Sequence, residues 1–473
     1  MVKLVVRRSC KVEKVAPTPN QPGFLAGFGV LRSQTHVRLD GRGFLRRRMR
    51  EATMNGRTFD TTDLARLGAA LVIAGTFFAT AAPLQAQTWA ESFGGTASDV
   101  GYTVQQTSDG GFVVAGVTAS FSGTYDAWVL KLSPSGVVEW QRAFGGGGAE
   151  EANSVQQTSD GGYVVAGYTT SFGAGYNDVW LLRLDASGGI QWQWAYGGGS
   201  ADVASSVEQT TDGGYVVAGS TRSFGAGNED VWVIKLGSAG SFEWQKAYGG
   251  ANSELAHSIQ QTADGGYIVA GQTASFGAGG WDVWVLKLDA LGNIQSQWAY
   301  GGNGTDYGRS IRQTSDGGYI VGGLTSSFGA GNYDAWALKL SAVGDVQWDS
   351  VHGGNLDDQL HSIRQTSDGG YVAAGYREGS DVLVLKYDDT GAIQWQNSFS
   401  GGGAEGSNAV RQTTDGGYVV AGYTNSFGAG NNDVWVLKLN SAGALGGACT
   451  GVTQNANSLS IDTTGTATLQ CSE

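Results

Sequence analysis

The eleven residues QTSDGGYVVAG at 157–167 return in near-copy seven times, and no other property of this 473-residue chain restricts its fold so strongly. The turn aspartate of each copy falls at Asp109, Asp160, Asp212, Asp264, Asp316, Asp368 and Asp415, at spacings of 51, 52, 52, 52, 52 and 47 residues. The last spacing is short because the sixth copy, GYREGSDVLVLK, lacks the SFGAGN-type loop of the others. Within one period four strand-like runs, NSVQQT, YVVAGYT, DVWLLRL and GIQWQWAYGG, alternate with turn signals. In SDGG the aspartate can bond forward to backbone amides while glycine takes positive φ, and DASGG has the composition of a hairpin turn. Four antiparallel strands in roughly fifty residues is the period of a β-propeller blade, and one such sheet cannot bury both faces alone. The expected fold is therefore all-β: a seven-bladed propeller of four-stranded antiparallel blades.

The two ends of the repeat array indicate how the ring closes. The seventh unit stops at NNDVWVLKLNSAGALGG without its Trp-bearing fourth strand, whereas TWAESFGG at 88–95 precedes the first unit unaccompanied. Aligning Trp89 with Trp192 and Phe93 with Tyr196 makes the N-terminal piece the missing outer strand, so that closure removes an exposed edge. NSVQQT then becomes the inner strand beside a central channel. All 15 Trp lie within the ring, mostly in DVW and IQW, as fillers of blade-to-blade contacts. Lys131, Arg183, Lys235, Lys287, Lys339, Lys386 and Lys438 share one place on the third strand, where each is expected to pair with a turn aspartate.

Outside the array, Leu67 to Phe78 forms an apolar run of about twelve residues, too short to cross a bilayer, preceded by Arg57 and Arg66 and followed by small residues. Residues 54–86 are expected to be a signal peptide cut near Ala86, with translation starting at Met54 and residues 1–53 a non-native upstream extension; a buried core helix or an organellar presequence are the alternatives. The expected location is secreted or at the cell surface, with no membrane span after cleavage. Residues 87–445 would form the ring and 446–473 a tail rich in Ser, Thr, Asn and Gly. From residue 87 onward 15 Lys and Arg face 37 Asp and Glu, a formal charge of about −22, which repels nucleic acid and anionic lipid. Cys449 and Cys471 in the tail are most simply one disulfide in an exported chain.

Across residues 88–445 the pair QTSDGGYVVAG and DVWVLKLDALGNIQ resembles the β-propeller repeats of secreted and surface-displayed bacterial and archaeal proteins, a largely uncharacterised group. LRLDASGGIQW is similar to the Trp-docking motif of quinoprotein-like blades, a resemblance that implies blades fastened to one another by tryptophan. The quinone enzymes of that kind have eight blades and a dedicated cofactor set, and this sequence has seven and shows none. TSDGG resembles the Asp-box turn of sialidases but lacks its following Trp, so it implies a turn and not an activity.

Function is sought where the copies differ. Five residues before the inner-strand Val or Ile every copy keeps an acid: Asp99, Glu150, Asp202, Glu254, Asp306, Asp358 and Glu405. Seven carboxylates round a rim would suit Ca2+, the one cofactor considered; their uniformity favours acids that bind amides of their own loops. Two residues before the same Val or Ile stand Tyr102, Asn153, Ser205, His257, Arg309, His361 and Asn408. One residue after it stand Gln105, Gln156, Glu208, Gln260, Arg312, Arg364 and Arg411. Arginines converging beside a channel would hold a carboxylate, sulfate or phosphate, unless the acidic rim neutralises them. His257 and His361, two blades apart, are not expected to act as a pair. No catalytic spacing rises above the repeat. The expectation is a monomeric, non-enzymatic binding or structural module for protein or glycan partners, with an anionic ligand at Arg309, Arg312, Arg364, Arg411, His361, His257 and Tyr102. The alternative is a hydrolase or lyase on an acidic glycan, its base supplied by Tyr102, Glu405 or His361.

Overall fold

The computed structural model describes residues 87–446, apart from 122 and 378–380, together with the strands Thr453–Asn457 and Thr466–Thr468. The expected leader and the Cys449–Cys471 pairing lie outside the described residues. Seven antiparallel sheets follow one another, the first six running in chain order from an inner to an outer strand. They span 99–144, 150–196, 202–248, 254–300, 306–352, 359–400 and 405–439, numbered here as blades 1 to 7. No helix occurs among the described residues. The inner strands touch one another in a closed circle, the first meeting the seventh.

Blade 7 is completed by Trp89–Phe93, which pairs antiparallel with Asp433–Leu439. Trp89 lies opposite Lys438 and Phe93 opposite Val434, the same register that sets Trp192 opposite Arg183 and Tyr196 opposite Val179. The closure expected from the sequence is therefore the observed one.

Alternation along the second and third strands buries both faces of each sheet, and the buried apolar residues fall into seven clusters, each shared by two neighbouring blades. A tryptophan of each outer strand seals the seam. Trp140 meets the Tyr163 ring of the next blade edge-on at 5.6 Å and donates from Nε1 to Ala186 O at 3.2 Å. Its indole covers Gly188, whose φ of 81° and lack of a Cβ are both required, since a Cβ there would sit 2.9 Å from the ring. Trp89 repeats this over Gly136, joining blade 7 to blade 1. Blades 2 and 4 use Trp194 and Trp298, two residues further along, over Gly240 and Gly344.

Every third-strand cation pairs with its turn aspartate, as in Lys131–Asp109 at 2.9 Å and Lys339–Asp316 at 2.8 Å. The amines are buried and the carboxylates about half exposed.

One addition was not legible in the sequence. Thr453–Asn457 pairs with the outer strand of blade 6, Asn457 opposite Gln396, and Thr466–Thr468 extends it to a six-stranded sheet. Blades 1 to 4 present Arg142, Trp194, Lys246 and Trp298 near that edge, where blade 6 has Asn397, which turns inward and donates to Gly443 O at 2.9 Å.

Two outcomes follow from this architecture. Trp89→Ala should cost about 3–5 kcal/mol, as for a buried indole elsewhere, and deletion of 87–95 should cost more; a calorimetric melting temperature unchanged by the deletion would contradict the latch. Partial burial opposes ionisation of the turn aspartates, but hydrogen bonds from Thr107 and Lys131 outweigh it at Asp109, which is lowered to about 2, as are Asp212, Asp264 and Asp316. A folded value below the unfolded one of about 3.9 stabilises above that pH and is lost as pH falls toward 2. Urea midpoints should drop between pH 4 and 2, and less steeply in Asp109→Asn/Asp212→Asn; parallel profiles would count against these ion pairs.

Candidate functional site

Each inner strand carries one extra residue where its ladder slips, between Gly101 and Thr103 in blade 1 and at the equivalent place in every other blade. That residue is Tyr102, Asn153, Ser205, His257, Arg309, His361 or Asn408. A bulge releases a side chain from the pleat and re-aims it. Here all seven line one vestibule of about 310 Å³ at the mouth of the central channel. The most divergent positions of the repeat are thus the ones the ladder does not use.

The mouth is electrically two-sided. Arg309 lies over the Tyr307 ring, 5.4 Å from its centre. His257 and His361 flank it on blades 4 and 6. Burial, followed by Arg309, lowers His257 to about 3 and His361 to about 4, and His361 also acts on His257. His257 donates from Nε2 to Gln272 Oε1 at 3.0 Å, and His361 from Nδ1 to Asn408 Oδ1 at 2.9 Å. Opposite them, burial raises the Glu151 carboxyl even though the Tyr168 and Tyr102 hydroxyls donate to it. Glu151 and Tyr168 were missed by sequence reasoning. The signal was present, because Glu151 is the sole charged residue at its place in the seven copies.

Deeper in the channel the blades divide into two groups. Gln105 Oε1 accepts the N–H of Gln157 in the next blade at 2.7 Å, Gln156 that of Gln209 at 2.5 Å, and Gln260 that of Gln313 at 2.7 Å. Glu208 accepts from Gln261 in the same way. Arginine has no acceptor, so on blades 5 to 7 the direction reverses. Arg312 Nη1 donates back to Ser258 Oγ at 2.9 Å and to Ile311 O at 2.6 Å. Arg364 bonds Ser310 Oγ at 2.8 Å, and Arg411 bonds Ser362 Oγ at 3.4 Å and Val410 O at 2.8 Å. Burial lowers all three guanidinium groups, with mutual repulsion adding to it at Arg364 and Arg411; Arg411 falls to about 9 and Arg364 well below its usual value. Burial raises Glu208 against the pull of Arg312 and Arg364.

The seven acids form no open rim. Asp99, Glu150, Asp202, Glu254, Asp306, Asp358 and Glu405 are buried, and each accepts the N–H of the glycine four residues before it, from 2.7 Å at Gly250 to 3.1 Å at Gly401. Hydroxyls add to this, as Ser120 does for Asp99 and Thr424 for Glu405, while one buried oxygen each of Asp99 and Asp306 has no partner among the described residues. Among the described residues no three His, Cys, Asp or Glu converge as a metal site. Glu405 is therefore held in its own loop, whereas Tyr102 and His361 reach the vestibule with Arg309.

A second feature surrounds the mouth. Phe121, Phe172, Phe224, Phe276 and Phe328, from the loops between second and third strands, are 38–53 % exposed, each lying against the Trp of its own DVW or DAW. Tyr125 and Tyr176 add to this crown, Tyr176 being 80 % exposed. The SFGAGN-type loop is evident in the sequence, whereas the exposure of its phenylalanine is not.

No protein-family model and no curated protein matches the chain. Among solved structures it is similar to the Pan2 WD40 domain of Neurospora crassa, with 11% identity, a TM-score of 0.46, and 75% of this chain and 97% of that one covered. For Sqt1 from Chaetomium thermophilum the values are 11%, 0.43, 75% and 99%, and for BamB from Moraxella catarrhalis 12%, 0.40, 74% and 85%. The likeness is one of fold alone: a ring of four-stranded blades.

With values near 3 and 4, His257 and His361 should stay neutral from pH 8 down to 5. An NMR titration that protonates either ring near pH 6.5 would contradict the described mouth.

Proposed function

We propose that this chain is an exported, non-enzymatic binding module that docks a protein partner on the face bearing the aromatic crown and the channel mouth. The observation that carries the reading is the crown itself. Phenylalanines half-exposed on successive loops, each held against a buried tryptophan, form rigid apolar contact area at little entropic cost. The seven-bladed ring supplies the platform, and such rings are widely used as binding scaffolds. Export rests on the apolar run at Leu67 to Phe78 and the small residues up to Ala86. Glycan recognition on the same crown is the competing outcome of the test.

Residues 87–473 are presented to a panel of purified extracellular proteins and to a glycan array, beside Phe172→Ser/Phe224→Ser/Phe276→Ser/Phe328→Ser. A protein partner should lose at least about tenfold in affinity to this variant, a modest fraction of a hot-spot contribution. Leu291→Ser/Val343→Ser, on turns of the opposite face, should change nothing. Ligands that are all sugars would move the reading to glycans, and partners indifferent to the crown but sensitive to the opposite face would overturn it.

A further inference from the structure

The channel gathers more positive charge than it pairs. Four arginines, Arg309, Arg312, Arg364 and Arg411, line its cavity, and no carboxylate does among the described residues. Glu208 acts on the group electrostatically from blade 3, one negative charge against several positive ones. Guanidinium groups do not shed their protons to relieve such crowding, so the cost of burial is met only by a counter-anion.

Three further observations define that anion. First, the Nε of Arg309 is buried with no hydrogen-bond partner. Second, the inner-strand ladder lacks its acceptors at three consecutive seams. The N–H groups of Gln365, Gln412 and Gln106 stand where those of Gln157, Gln209 and Gln313 do, but the preceding blade offers each an arginine instead of a glutamine oxygen. These seams run from blade 5 to blade 1, the sector of the three arginines. Third, the cavity measures about 90 Å³. That volume holds about three waters at roughly 30 Å³ each and is far below the roughly 300 Å³ at which sites for drug-sized molecules begin. It suits one group of a few oxygen atoms.

We propose that the inner channel is a binding site for a single oxyanion of sulfate or phosphate size, held by Arg312, Arg364 and Arg411 and closed on the mouth side by Arg309. Each deep arginine is already anchored through Nη1 to the preceding blade's serine, so its fork is pre-positioned for a bidentate contact. The vestibule above, about 310 Å³, has room for the remainder of a molecule that carries such a group, so the oxyanion is either free or the charged tip of a sugar or other small ligand. This site is independent of the crown.

The test is titration calorimetry and thermal unfolding of residues 87–473 in chloride buffer at fixed ionic strength, with inorganic sulfate, inorganic phosphate and glucose 6-phosphate as probes. Wild type should bind one equivalent and its melting temperature should climb with the logarithm of the anion concentration. Arg312→Gln/Arg364→Gln/Arg411→Gln installs the residue of blades 1, 2 and 4, restores the ladder, and should fold with an undiminished melting temperature while losing the anion response. Arg309→Gln should weaken binding about ten- to a hundredfold, the change expected for one charge-assisted hydrogen bond. Glu208→Gln should tighten it. Tighter binding of glucose 6-phosphate than of phosphate assigns the vestibule to the rest of the ligand, and equal binding assigns a free ion. A wild-type protein indifferent to all three probes, or a response that survives in the triple variant, overturns the proposal; collapse of the triple variant would do so as well, since it would make the arginines scaffold.

Discussion

The whole ring depends on a tryptophan of one blade lying flat over a turn glycine of the next. A single four-stranded sheet has two apolar faces and no means of covering either, so the blade becomes stable only when its neighbours do. The indole supplies the largest apolar area available to one side chain and a single N–H, which the turn carbonyl accepts. Glycine is needed beneath it twice over, for its backbone conformation and for its missing Cβ. Because the seat is repeated at every seam, including the one between the chain ends, no blade is an end blade and no sheet edge is left at the ring's seam.

What the scaffold fixes also determines what it leaves free. Ladder positions, turn aspartates and the buried cations are the same in every unit because each completes a hydrogen bond or ion pair within its own blade. The bulged residue at the mouth belongs to no ladder pair, and the residue facing the deep channel is constrained only where it must accept the next blade's N–H. Departure from that rule on three adjacent blades sacrifices three circumferential hydrogen bonds and concentrates like charges. Local costs of this kind are found where a site is being built.

Much of this was legible beforehand, for physical reasons that differ from element to element. The blade count, strand order and closing strand follow from period and pattern, since Trp89 and Phe93 have meaning only as partners of Lys438 and Val434. The pairing of Lys131 with Asp109 followed from their sevenfold recurrence. The seven acids bind amides of their own loops, as their uniformity suggested, each through the glycine four residues before it. Three things were hidden. The bulge leaves no mark in composition, so although Tyr102, His257, Arg309 and His361 were expected together beside the channel, that each is the extra residue of a slipped ladder emerged only from the register. The buried hydrogen bonds of His257 to Gln272 and of His361 to Asn408 join each ring to a different partner, which linear spacing cannot convey. The added strands on blade 6 come from a segment, TQNAN, whose polar composition carries no strand signal.

The N-terminal strand of blade 7 has a consequence for the order of events during synthesis. Its partner, Asp433–Leu439, is made more than three hundred residues later, so this ribbon has no mate until the seventh repeat is made. Throughout that interval blade 1 has a bare flank, and Trp89 has Gly136 beneath it but no sheet to belong to. Partial chains are therefore open arcs with two sticky ends, and the ring can close only once the third strand of the seventh blade has been made. Commitment to the finished circle is a single late step, and any truncated product remains permanently unsealed.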